Sequence, residues 1–148
     1  MAAKGRYLTA GQLKRRLSRL LSPFWASSRR TYAGFSDEQF YAPTEAEVRT
    51  FLEAEPIPAE LYQDEVFDCD DYAFVLKGLV SLHARSLERI TSSMSIGIAW
   101  GRFDWVDDEF HATNWVLRED GEFRWLEPQD GTVHAVGECS GGLTLVVV

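Results

Sequence analysis

Residues 68–80 read DCDDYAFVLKGLV. Asp68 has the side chain of a helix N-cap and Asp71 stands three residues on, where it can reach back to the cap. Tyr72, Val75, Leu76, Leu79 and Val80 then recur at helical spacing. The pattern predicts a helix of about 18 residues with Cys69 at its first position. A thiol there feels the positive end of the macrodipole and free backbone N–H groups, which favour a thiolate and can stabilise an oxyanion. The carboxylates of Asp68, Asp70 and Asp71 repel that same thiolate. Either Cys69 is a structural cysteine beside a solvated acidic cap, or something offsets the charges.

Upstream, two further helix starts are legible. In LTAGQL, Thr9 and Gln12 make a capping box, with Leu8 and Leu13 as its hydrophobic staple. Leu13, Leu17, Leu20 and Leu21 form a stripe opposite Lys14, Arg15, Arg16 and Arg19 until Pro23 ends the helix. In PTEAEV, Thr44 and Glu47 repeat the box for a helix that stops before Pro56. Downstream of Ser92 the period becomes two: Met94, Ile96, Ile98 and Trp100 alternate with Ser95, Gly97, Ala99 and Gly101. FHATNWVLR and EFRWLEPQ flank Glu119-Asp120-Gly121 as a hairpin, and TVHAV and LTLVVV flank Gly141-Gly142 as further strands. Helices first and antiparallel strands after predict an α+β domain.

The chain has 148 residues, 45% of them hydrophobic and nineteen aromatic (five Trp, five Tyr, nine Phe), a composition for a packed core rather than disorder. No apolar run reaches the length of a membrane span and no secretory leader is legible, so a cytoplasmic protein without a membrane span is expected. Two cysteines, Cys69 and Cys139, are too few for a disulfide framework, and no Cys-x-x-Cys pair exists for zinc. The net charge of −8 is unevenly spread. Residues 1–30 carry eight of the fifteen Lys/Arg and no acid, leaving seven basic and all twenty-three acidic residues beyond. We read 1–30 as a basic amphipathic arm that folds back or docks on a partner, and 31–148 as the catalytic domain of a single globular unit. The acidic body speaks against nucleic acid and suits divalent cations.

His111 in HATNW and Glu127 in WLEPQ complete a candidate thiol centre. A thiol nucleophile needs an adjacent base, and the base needs an acceptor to orient it. A three-residue Glu119-Asp120-Gly121 loop with Gly121 left-handed pairs Arg118 with Glu122 and places His111 diagonal to Glu127 on one face. A two-residue Asp-Gly loop turns His111 away. Asp104, Asp107, Asp108 and Glu109 form an acidic run before His111.

The order Cys, His, carboxylate on helix, strand and strand resembles papain-like and transglutaminase-like thiol enzymes. DCDDYA, HATNW and WLEPQDG together are similar to the papain-like C-terminal protease domain of the mushroom (fairy-ring) agglutinin family, over roughly residues 41–131. The resemblance implies a papain-like α+β fold, N-terminal helices followed by an antiparallel sheet. It implies a hydrolase, a cysteine protease acting on a peptide or protein substrate and activated by calcium or manganese. Cys69 is then the nucleophile, His111 the general base and Glu127 its orienting carboxylate. Asp70, Asp71 and Gln129 become oxygen ligands of the cation, which offsets the charges around Cys69. Gln63, six residues before Cys69, is the oxyanion candidate, and a homodimer is implied. The alternatives are a transamidase or deamidase using the same three residues, and a non-catalytic calcium-binding or protein-interaction module.

Overall fold

Three short strands that no alternation announced frame the helices. In the computed structural model, which describes residues 5–54 and 56–148, Arg6–Thr9 (β1) pairs antiparallel with Gln39–Ala42 (β3), and β3 pairs parallel with Ser93–Met94 (β4). Tyr32–Ala33 (β2) joins a second sheet of six strands, ordered β2-β9-β5-β6-β7-β8. Its other members are Ile96–Phe103 (β5), Phe110–Leu117 (β6), Phe123–Leu126 (β7), Val133–Ala135 (β8) and Cys139–Val147 (β9).

This corrects the expected papain-like order of N-terminal helices followed by an antiparallel sheet. The molecule is rich in β-sheet, with strands before, between and after its helices. Two of its pairings, β2 with β9 and β3 with β4, are parallel. The physical reason for the miss is length. β1 and β3 have four residues each and β2 two, too few to display a period. Their partners also lie far along the chain, as Tyr32 opposite Val146 illustrates.

The helices are Ala10–Leu21 (α1), Glu45–Ala54 (α2) and Cys69–Ser86 (α3). Both expected capping boxes form around the first two. The Thr9 N–H donates to Gln12 Oε1 at 2.8 Å while the Gln12 N–H donates to Thr9 Oγ1 at 3.1 Å. The Thr44 N–H donates to Glu47 Oε2 at 2.8 Å, and the Glu47 N–H returns to Thr44 Oγ1 at 3.2 Å.

The six-stranded sheet separates two cores, and β6 shows how. Trp115 and Leu117 belong to a cluster with Leu13, Leu17 and Leu21 of α1, whereas Val116 belongs to one with Leu76 and Val80 of α3 and Phe51 of α2. Neighbouring residues on a strand point to opposite faces, so one strand serves both. Leu13, Leu17 and Leu21 are fully buried, each stabilising the fold by about 2 kcal/mol. The leucine stripe of the basic segment is therefore core, with its arginines left outside.

Small residues in β5 let the layers approach. A side chain at Gly97 would place its Cβ 1.8 Å from the Val147 carbonyl oxygen and 2.7 Å from the Trp115 ring. The β6–β7 loop is the three-residue form: Gly121 is left-handed at φ 86°, its N–H donates to the Arg118 carbonyl at 3.0 Å, and the Arg118 N–H donates to Glu122 O at 2.9 Å. That register runs Leu117 opposite Phe123 through Asn114 opposite Leu126. It sets the end of β6 beside the residue that follows β7, Glu127.

Candidate functional site

α3 begins where the Asp68 carbonyl accepts the first helical bond, from the Tyr72 N–H at 3.1 Å. The Asp68 N–H donates to Asp71 Oδ2 at 3.2 Å, and the Asp71 N–H to Asp70 Oδ1 at 3.1 Å. These bonds fold three carboxylates back around the helix start. One oxygen from each of Asp68, Asp70 and Asp71 lies within 4.8 Å of the others, and all three residues are partly buried. The hydrogen bond to the Asp68 carboxyl, then burial, then the charges of Asp68 and Asp71 push the Asp70 carboxyl above the usual carboxylate range. Crowded oxygens of this kind fit a hard divalent cation, whose preferred ligands are carboxylate and carbonyl oxygens.

Cys69 occupies the first position of α3 and is half-buried. Its sulfur accepts the Ala112 N–H at 3.5 Å, just beyond the stretch of β6 that pairs with β7. His111, next along β6, is 8% exposed. Its Nε2 lies 2.7 Å from Glu127 Oε2, and its neighbour Ala112 meets the Cys69 sulfur. Burial disfavours a charged imidazole, but the hydrogen bonds to Cys69 and Glu127, with their negative charges, outweigh it and push the pKa up to about 9.

Glu127 is 4% exposed and held on both oxygens. Trp105 Nε1 donates to Oε2 at 2.9 Å and the Gln129 N–H donates to Oε1 at 3.1 Å. Its own N–H donates to the Thr132 carbonyl and its carbonyl accepts from Gly131, so backbone and side chain are both fixed. A carboxylate so placed orients the imidazole, and the imidazole faces a thiol at a helix N-terminus. Such a group can hold a thiolate–imidazolium pair.

Cys69, His111 and Glu127 are thus brought together from α3, β6 and the segment after β7. Asp70 and Asp71 are joined by Asp68, which the sequence marked only as a cap. Gln129 enters through its backbone N–H on Glu127. Gln63 is exposed, and its backbone closes a small loop: its N–H donates to the Phe67 carbonyl at 2.9 Å and the Phe67 N–H returns to its carbonyl at 2.7 Å. Asn114 points the other way, its Nδ2 donating to the carbonyls of Ala73 at 2.9 Å and Gly97 at 3.1 Å, and so ties α3 to β5. The acidic run Asp104–Glu109 makes a turn, with Asp107 and Asp108 left-handed, and Arg102 donating to the Asp108 carbonyl. Trp105 was missed by sequence reasoning. An indole inside an acidic run, six residues before the histidine, was the available signal.

The family described as Agglutinin C-terminal matches residues 40–133. Among solved structures, Polyporus squamosus lectin bound to the human-type influenza-binding epitope Neu5Aca2-6Galb1-4GlcNAc is similar to this chain, with a TM-score of 0.73 at 21% identity. The match covers 96% of this chain and 49% of that one. A structure titled PSL1a-E64 complex is similar at a TM-score of 0.72 and 21% identity, over 96% of this chain and 50% of its own. The chain thus spans about half the length of these neighbours. A comparison with curated proteins found no match.

These findings support the agglutinin part of the resemblance and overturn its protease part. The matches are to an agglutinin family and a lectin, so the expectations of a hydrolase and of a papain-like cysteine protease are corrected, and the expected peptide substrate gains no support from them. Among the described residues no helix is long and apolar enough to cross a membrane.

Proposed function

Because the chain belongs to the agglutinin C-terminal family, we propose that it is a binding module of that family with a divalent-cation site beside a half-buried thiol centre. Asp68, Asp70 and Asp71 would hold the cation, calcium or manganese, and Cys69, His111 and Glu127 form the centre next to it. The observation that carries the reading is the carboxylate cluster. Three acidic groups with oxygens within 4.8 Å of one another repel unless a proton or a cation lies among them. When bound, the cation supplies positive charge that relieves this repulsion. The chain's own residues do the rest. The capping bonds hold the carboxylates at the helix start, and the Ala112 N–H and His111 hold the sulfur.

Calorimetric titration with calcium chloride and with manganese chloride tests this reading. Saturable binding by the native chain is expected, weakened about tenfold or more in Asp70→Asn, since a charged ligand is lost. No saturable heat with either metal would end it. The lectin neighbour's title names a sialylated epitope, and the present chain spans 49% of that neighbour. Sugar binding by this half is a separate question that a glycan array answers with and without calcium.

The contacts of Cys69 with His111 and of His111 with Glu127 favour a second reading, a transamidase. In it the Cys69 sulfur, its proton passed to His111, attacks a carboxamide carbonyl and His111 delivers that proton to the departing ammonia. An amine then displaces the sulfur from the acyl-thioester. Gln63 is its candidate oxyanion donor. Release of ammonia from a glutamine-containing peptide library, absent in Cys69→Ala, tests it; equal release by both proteins contradicts it.

A further inference from the structure

His134 on β8 belongs to none of the motifs above, yet it is the best-anchored imidazole outside the site. Its Nε2 lies 2.8 Å from Thr132 Oγ1 and its Nδ1 lies 3.1 Å from Glu138 Oε1. Both partners are themselves fixed. The Thr132 N–H donates to Asp130 Oδ1 at 2.9 Å, and Glu138 Oε2 accepts the Ala135 N–H at 2.6 Å. With Nδ1–H donating to Glu138 and the Thr132 hydroxyl donating to Nε2, a neutral ring is held at both nitrogens. Its plane lies flat on Trp105, with centroids 4.0 Å apart and only 6° between the rings. Trp105 is the residue whose indole N–H donates to Glu127 Oε2, the oxygen that His111 also meets.

We propose that His134 is a positioning residue for the thiol centre, a pinned plate that holds the Trp105 indole N–H on Glu127 and so fixes the carboxylate that orients His111. It rests on the reading of Cys69, His111 and Glu127 as one centre. The geometry argues for position rather than bulk. A space-filling contact needs no ring alignment, and the other ring contacts of Phe103 and Trp125 are tilted or edge-on. Here the face of one ring is parallel to the other, and each ring nitrogen of His134 is tied to a different anchor. Phe103 also packs on Trp105, with centroids 4.7 Å apart and 31° between planes, so the indole keeps a hydrophobic neighbour if His134 is removed. What the histidine adds is orientation.

The test compares His134→Ala, which removes the plate, with His134→Phe, which keeps a stacking ring. The primary readout is hydrogen exchange and chemical shift of the Trp105 indole N–H, with Trp105→Phe used to assign the signal. Exchange about fivefold faster in His134→Ala, with a shift toward the value of a solvent-exposed indole, is expected, the factor that a stack of ordinary strength carries. His134→Phe should restore most of the protection, which a loss of stability spread over the fold would not do. The second readout is the alkylation rate of Cys69 at pH 7 in a Cys139→Ala background, expected to fall with His134→Ala and recover with His134→Phe. Should His134→Ala fail to fold, Thr132→Val and Glu138→Gln release one pin each, and both should speed indole exchange. An indole signal unchanged in the folded His134→Ala protein, or in both pin variants, overturns the proposal. A native Cys69 that does not react at all would sink the thiol reading instead, while the indole readout still judges His134.

Discussion

Cys69 and Cys139 carry the same side chain into opposite surroundings. Cys139 opens β9 at 2% exposure, its thiol donating to the Gly141 carbonyl at 3.7 Å. Burial disfavours its charged form and pushes its pKa up to about 11. Cys69 opens a helix, half-exposed, with a backbone N–H and an imidazole on its sulfur and three carboxylates at its back. The contrast teaches that a cysteine's chemistry is set by what its sulfur meets. In one place the protein uses the thiol as a small hydrophobe. In the other it surrounds the thiol with polar groups that are costly to bury without a purpose.

The largest expected effect sets the two thiols directly against each other. At pH 7 roughly one part in ten thousand of Cys139 is thiolate if its pKa is about 11. Iodoacetamide should therefore label Cys69 at least about a hundredfold faster, as peptide mass mapping over time would show. Equal rates would dissolve the comparison.

Removing the imidazole comes next. His111→Gln in a Cys139→Ala background should slow alkylation at pH 7 by about ten- to a hundredfold, because the base beside the sulfur is lost. The same variant has a stability signature whose sign is fixed. His111 has its folded pKa raised from 6.5 to about 9. Its contribution is fully present below about pH 6.5 and is lost as the pH rises through about 9, up to about 3 kcal/mol in all. Urea melts of native protein at pH 6 and pH 9.5 should differ by more than those of His111→Gln. A native melt as flat as the variant's would count against the buried ion pair.

Much of this was legible locally and little of it globally. Thr9 with Gln12, Thr44 with Glu47, and Asp68 with Asp71 announce helix starts because each box is a contact across three residues. Gly121 favoured the three-residue loop, and with it the proximity of His111 and Glu127, because that loop needs a left-handed residue at its last position. The short strands and the distant pairings were not legible. β2 has two residues and its partner lies over a hundred positions away, so its pairing is decided by tertiary packing. Trp105 and His134 escaped for the same reason, since a stack between an acidic turn and an edge strand leaves no periodic mark.

A smaller effect is expected at Glu127. Glu127→Gln keeps hydrogen-bonding atoms beside His111 and Trp105 but removes the charge, so alkylation of Cys69 should slow by about three- to tenfold, less than for His111→Gln. An effect equal to that of His111→Gln would mean that the carboxylate does more than orient and polarise the ring. Smallest of all, Asp70→Asn removes one repelling charge beside the sulfur. Without calcium it should speed alkylation by about two- to threefold, while moving any response to calcium to concentrations about tenfold higher or more.

The most direct test of the cation site is the alkylation rate of Cys69 at pH 7 in Cys139→Ala protein, measured in calcium and in chelator. A rate several times higher in calcium just sufficient to fill the native site, with most of the difference gone in Asp70→Asn at that concentration, is the predicted result. Equal rates in calcium and chelator would mean that the carboxylates at the start of α3 hold no cation that the thiol can feel, and the coupling proposed between the two would be wrong.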